Sequence, residues 1–206
     1  HLAGHHDLWK NTTEYWEDGS YFPDMIVREA ENFLEKNKDK PFFLYLPFNI
    51  PQIFLQPDSK WRQKYINLPW PRSHYAACVS TMDEKIGQVI SKLDKLGLRK
   101  NTLVIFVNDN GHAINMEGSY GGSAGKYRGH KYSLFEGGIS VPLIINMPNK
   151  IPAARQQSQI SISMDIFPTI AEFCSIAIPA ELTIDGKSLI PLVTSKTDLS
   201  LHETLF

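Results

Sequence analysis

Asp109 and Asn110 stand side by side at the end of an apolar run, in LVIFVNDNGH from Leu103 to His112. A carboxylate next to an amide carbonyl offers two hard oxygen donors, the kind a divalent cation takes. The same letters also suit a tight turn, because Asn, Asp and Gly tolerate positive φ. Downstream, the glycine-rich stretch GGSAGKYRGHKY holds Arg128, His130 and Lys131. Glycine lets backbone approach a ligand closely. An ammonium facing an Asp/Asn metal site would suit an anionic tetrahedral group such as sulfate or phosphate. The plain alternative for Lys131 is a solvated loop lysine.

These residues need elements to position them. Five large or β-branched residues, Leu103 to Val107, predict a strand buried on both faces of a parallel sheet. In open α/β sheets ligands gather beyond the carboxyl ends of strands, where Asp109 and Asn110 would sit. KPFFLYLPFN (40–49) and VPLIINMP (141–148) read as two more buried strands. Leu44, Ile105 and Ile144 should then share one sheet. PDMIVREAENFLEKNK predicts an amphipathic helix opened by Pro23. The segment 74–96 predicts a longer one, with Val79, Met82, Ile86, Val89, Ile90, Leu93 and Leu96 on one face and Gly97 as its stop. The Pro- and Trp-rich connection 50–73 is too long for a plain loop. MDIFPTIAEFCSI predicts a short helix, and the tail turns at Asp185-Gly186. Strand and helix alternate, so the expected fold is α/β, with a mostly parallel central sheet and helices on both faces. Loop is expected over 1–20, the core over 21–175 and a tail over 176–206.

Composition narrows the function classes. The chain has 206 residues, is 42% hydrophobic, and sets 21 Lys plus Arg against 22 Asp plus Glu. Enough apolar surface exists for one substantial core. No basic stripe suggests nucleic acid, and the apolar runs are too short to span a bilayer. Cys78 and Cys174 sit in apolar, helix-like contexts and are expected to be buried thiols. The sequence begins with His1 and shows no signal-peptide pattern, so the chain is expected to be processed or cut from something longer. Asn11-Thr-Thr matches the short glycosylation acceptor pattern. A phosphate loop is excluded by spacing: Tyr120 stands where its first glycine belongs, and Tyr127 follows Lys126 in place of Ser or Thr. No strand–glycine–helix unit supports a dinucleotide fingerprint either.

Taken in order, the motifs resemble the sulfatases of the alkaline-phosphatase superfamily. The resemblance rests on YAACVSTMDEKIGQVISKLDKLGLRKNTLVIFVNDNGH followed by GSAGKYRGHKYSLFEGGISVPLIINMP. KPFFLYLPFNIPQ upstream and MDIFPTIAEFCSI with DGKSLIPLV downstream extend it from about Tyr21 to the C-terminus. It implies an alkaline-phosphatase-like fold and sulfuric ester hydrolysis, with an aryl or sugar sulfate as the small substrate. Asp109 and Asn110 match a pair of divalent-metal ligands, usually for calcium, and Lys131 matches the lysine that contacts the sulfate. His112 and Arg128 lie close enough in sequence to touch substrate. Gln52 stands where the family usually has a histidine, and it can hydrogen-bond an oxygen but carry no proton. Ser140 stands where an arginine is usual. The family's nucleophile is a formylglycine made from Cys or Ser in a C-x-P-S-R-like motif. Neither Cys78 nor Cys174 lies in one. The resemblance therefore implies the downstream part of a catalytic domain, with the nucleophile and two further metal-binding aspartates upstream, inactive by itself. It also implies export. Two alternatives stay open: a phosphoric or phosphonic ester hydrolase of the same superfamily, and a non-catalytic relative.

Overall fold

The computed structural model describes residues 8–115, 118–195 and 200–205. The first seven residues of the expected N-terminal loop, and residues 196–199 and 206 of the expected tail, lie outside them. The chain divides into two compact units, one running through Leu96 and including Ala113–Ser123, the other comprising Gly97–His112 and the chain from Ala124 onward.

In the first unit a small hairpin, β1 (Trp9–Lys10) with β2 (Thr13–Glu14), replaces part of the expected loop. Helix α1 (Phe22–Asn37) begins with Pro23 in its first turn and buries Met25, Val27, Ala30 and Leu34. It packs on α3 (Arg72–Lys95), which ends where Gly97 adopts a φ of +71°. The buried stripe of α3 is Ala77, Cys78, Thr81, Lys85, Val89 and Leu93. The expected stripe is thus rotated: Val89 and Leu93 belong to it, whereas Val79 is exposed. Polar groups enter the stripe because each finds a partner. Thr81 donates its hydroxyl to the Ala77 carbonyl at 2.8 Å and accepts the Asp58 N–H at 3.0 Å. Lys85 pairs with Asp24 of α1. Burying Leu34 or Leu93 contributes about 1.5–3 kcal/mol each.

Residues 40–49 join no ladder among the described residues, contrary to the strand expected there. Their exposure alternates with a period of two. Phe42 meets Phe33 of α1 edge-on at 5.9 Å, while Phe43 and Tyr45 are exposed. Leu44 is half-buried on the inner side. The long connection after it is tucked rather than loose: it contains α2 (Ser59–Lys64), capped by the Asp58 carboxylate. Trp61 donates Nε1–H to Glu84 at 2.7 Å, and the hydroxyls of Tyr65 and Ser80 lie 2.9 Å apart. A second short hairpin, β4 (Ile114–Asn115) with β5 (Gly118–Ser119), leads to Gly121. There a Cβ would stand 2.8 Å from the Pro71 carbonyl, so the close approach to α3 requires glycine.

In the second unit β3 (Val104–Val107) pairs with β6 (Leu143–Asn146), and the pairing is antiparallel. Val104 faces Asn146 and Val107 faces Leu143. The described strands thus form antiparallel pairs, not a parallel sheet. Ile105 is half-buried and Ile144 is 58% exposed, because a two-stranded ribbon covers neither face fully. The short helix α4 (Glu136–Ile139) precedes β6. A 3-10 turn, Ser163–Asp165, runs into α5 (Ile166–Phe173), and α6 (Ile190–Thr194) follows.

The two cysteines differ, against the expectation of two buried thiols. Cys78 is buried in α3, and burial pushes its thiol up to about 11. Cys174 is exposed at the C-cap of α5. Alkylation under native conditions should therefore label Cys174 and spare Cys78 until denaturant is added. Peptide mapping checks this; equal native labelling would contradict the packing of α3.

Candidate functional site

Beyond β3 the pairing continues by one bond, from Asn108 N–H to the Pro142 carbonyl at 3.4 Å. The next residues, Asp109 and Asn110, leave the strand end. They do not form a hairpin turn, since the partner of β3 begins at Leu143, far downstream. The Asn110 amide donates to the Asp109 carboxylate at 2.5 Å, so the two side chains meet. Rotating that amide by half a turn would offer its oxygen beside the carboxylate instead. This donor pair fits part of a calcium shell, which takes six to eight oxygens. Among the described residues no group of three His, Cys, Asp or Glu could complete it.

Three backbone segments are then stacked without side chains between them. Gly111 donates its N–H to the Gly138 carbonyl at 2.8 Å, and a Cβ on Gly111 would lie 1.9 Å from the Gly137 carbonyl oxygen. On the other side Gly137 donates to the Arg128 carbonyl at 2.7 Å. A Cβ on Gly138 would lie 2.5 Å from the His130 carbonyl oxygen. Lys131 closes the stack by donating its N–H to the His112 carbonyl at 2.9 Å. The Glu136–Ile139 turn is thus a spacer only glycines can fill, holding the Asp109–His112 corner against the Arg128–Lys131 loop. Sequence reasoning named that loop and that corner but missed the joint; the paired glycines at 137–138 were its signal.

The charged residues of the loop are placed differently. Lys131 is half-buried, with its ammonium 5.5 Å from the Tyr132 ring centroid. Arg128 is exposed and stacks its guanidinium 3.9 Å above Phe135. The His112 and His130 rings meet edge-on with centroids 6.4 Å apart. His112 Nδ1 is buried and has no hydrogen-bond partner among the described residues. Burial, and secondarily the His130 ring, lowers the proton affinity of His112, so it favours the neutral form. Gln52 belongs to the first unit, where its side-chain Oε1 accepts the Ile53 N–H at 2.9 Å.

Comparison with known proteins decides the family. The Sulfatase family profile matches residues 2–176. The chain belongs to the sulfatase family. It is 36% identical over 187 residues to steryl-sulfatase of Rattus norvegicus, covering 88% of this chain and 31% of that protein. N-acetylgalactosamine-6-sulfatase of Canis lupus familiaris is 30% identical over 200 residues, with 89% and 36% covered. Among solved structures, Ps i-CgsB in complex with k-i-k-neocarrahexaose superimposes with a TM-score of 0.80 at 32% identity, covering 88% of this chain and 40% of that one. This sulfatase chain thus spans about a third of the length of the curated relatives it matches. Among its described residues no helix is long and apolar enough to cross a membrane.

Proposed function

We propose that this chain supplies the sulfate- and metal-binding part of a sulfuric ester hydrolase acting on an aryl or sugar sulfate. The observation behind this reading is the glycine stack, which joins the Asp109–Asn110 corner to the Lys131 loop in a sulfatase-family chain. Asp109 and Asn110 would hold calcium, which supplies Lewis-acid charge for the sulfate oxygens when bound. Lys131 neutralises charge on those oxygens as a compact ammonium. The two cysteines here do not serve as nucleophile precursor: Cys78 is buried and lies outside the required motif, as does Cys174. The reading therefore places a formylglycine upstream in the complete protein, within the additional length that the curated relatives have. That group would supply the nucleophilic oxygen that attacks sulfur.

The test compares the 206-residue chain with the complete, matured protein on a chromogenic aryl sulfate with calcium. Turnover is expected only from the complete protein. Calcium-dependent turnover by the short chain would show that the nucleophile lies within these residues. Turnover of phosphate monoesters in preference to sulfates would replace the proposed substrate class.

A further inference from the structure

The departing oxygen of an unactivated sulfate ester leaves as a strongly basic alkoxide unless a proton reaches it as the S–O bond breaks. The groups assigned above do not provide one. Asp109 and Asn110 are turned to each other as acceptor and amide, and Lys131 is assigned above to the sulfate oxygens. Gln52 has no transferable proton. A charged His112 would hold its buried Nδ1–H without an acceptor among the described residues.

His130 differs from all of these. Its Nδ1 lies 2.6 Å from the Lys131 carbonyl oxygen. A carbonyl only accepts, so Nδ1 bears the hydrogen and the exchangeable position is Nε2. The residue is also fixed from behind: its N–H donates to Ser133 Oγ at 3.1 Å, and its carbonyl lies against Gly138. Its ring faces His112, two residues past Asn110, and the next residue in the chain is Lys131. A ring with one nitrogen tied to backbone and the other open is the arrangement a proton donor needs.

We propose that His130 is the acid that protonates the departing ester oxygen. The inference rests on the sulfatase reading above. As the nucleophile's oxygen bonds to sulfur and its proton passes to water, the S–O bond to the alcohol breaks and its electron pair goes to the alcohol oxygen. That oxygen takes the proton from Nε2, and the alcohol leaves neutral. Neutral His130 then regains a proton at Nε2 from water before the next turnover. Nδ1–H stays on the Lys131 carbonyl throughout.

The experiment uses the complete, matured protein, parent and His130→Gln, on a series running from nitrophenyl sulfate to an alkyl or sugar sulfate. Gln retains an N–H donor for the carbonyl but no acid. Losing a general acid should lower kcat/KM about 10²–10⁴-fold on the least activated ester. On nitrophenyl sulfate, whose phenolate departs unaided, the loss should stay below about tenfold. The rate should therefore depend more steeply on leaving-group basicity in the variant. Should His130→Gln not fold, His130→Asn is judged by the same slope. Equal losses across the series, or none, would overturn the assignment and leave the sulfatase reading standing. Absence of turnover by the parent on every sulfate would overturn both.

Discussion

Lys131→Ala in the complete, matured protein is expected to lower kcat/KM for an aryl sulfate about 10²–10³-fold, the loss typical when one preorganised charge-stabilising group is removed. The substitution should leave the loop in place. What ties residue 131 to the site is its backbone N–H on the His112 carbonyl, which the substitution keeps. The sulfate group is anionic before and during reaction, so the loss should divide between KM and kcat. Lys131→Arg should recover part of it, because charge persists while the planar fork replaces a compact ammonium. Raising salt should narrow the difference between parent and Lys131→Ala, since a half-exposed charge is partly screened. A loss under about threefold would return Lys131 to the solvated loop lysine that its sequence context also allowed.

The helices were legible because their signal is local. Pro23 and the spacing of Met25, Ala30 and Leu34 mark α1, and Gly97 marks the end of α3. The orientation of α3 was less legible, because Thr81 and Lys85 enter the buried stripe through partners on Asp58 and Asp24 that no periodicity shows. Strand content misled in another way. An uninterrupted apolar run implies burial on both faces, yet among the described residues β3 pairs with β6 alone and is half-covered. Residues 40–49 show strand-like alternation without a ladder among the described residues. Direction was the least legible property, since nothing in Leu103–Val107 or Leu143–Asn146 distinguishes parallel from antiparallel partners. For the candidate site, residue types pointed to Asp109, Asn110 and Lys131. Their nearness depends on Gly111, Gly137 and Gly138, whose role is the absence of a side chain.

Asp165→Ala is expected to destabilise the second unit by about 3–5 kcal/mol, the cost of removing one partner from a buried charged network. Asp165 is fully buried. One carboxylate oxygen accepts the Lys187 N–H at 2.7 Å, the other the Ile162 N–H at 2.9 Å, and His202 Nε2 lies 2.9 and 3.0 Å from the two. Thr169, also fully buried, donates to the Asp165 carbonyl at 2.6 Å and accepts the Leu189 N–H at 2.8 Å. Asp165 and Thr169 thereby bind the start of α5 to the Asp185–Leu189 segment and to the chain at His202. Gly186 permits that approach, since a Cβ there would lie 2.1 Å from the Met164 carbonyl oxygen. The acidic and hydroxyl residues of MDIFPT thus serve a structural tie to the DGKSL segment. Alanine at 165 leaves two backbone donors and an imidazole without their buried acceptor, each costing about 1–3 kcal/mol. His202→Ala removes one donor and leaves the carboxylate two, so it should cost less, about 1.5–3 kcal/mol. Because both changes break one network, the double variant should be destabilised by less than the sum. Urea unfolding of the parent, both single variants and the double variant measures all four. If Asp165→Ala falls within about 1 kcal/mol of the parent, or the two effects add, the carboxylate is not the tie that holds α5 to the C-terminal segment.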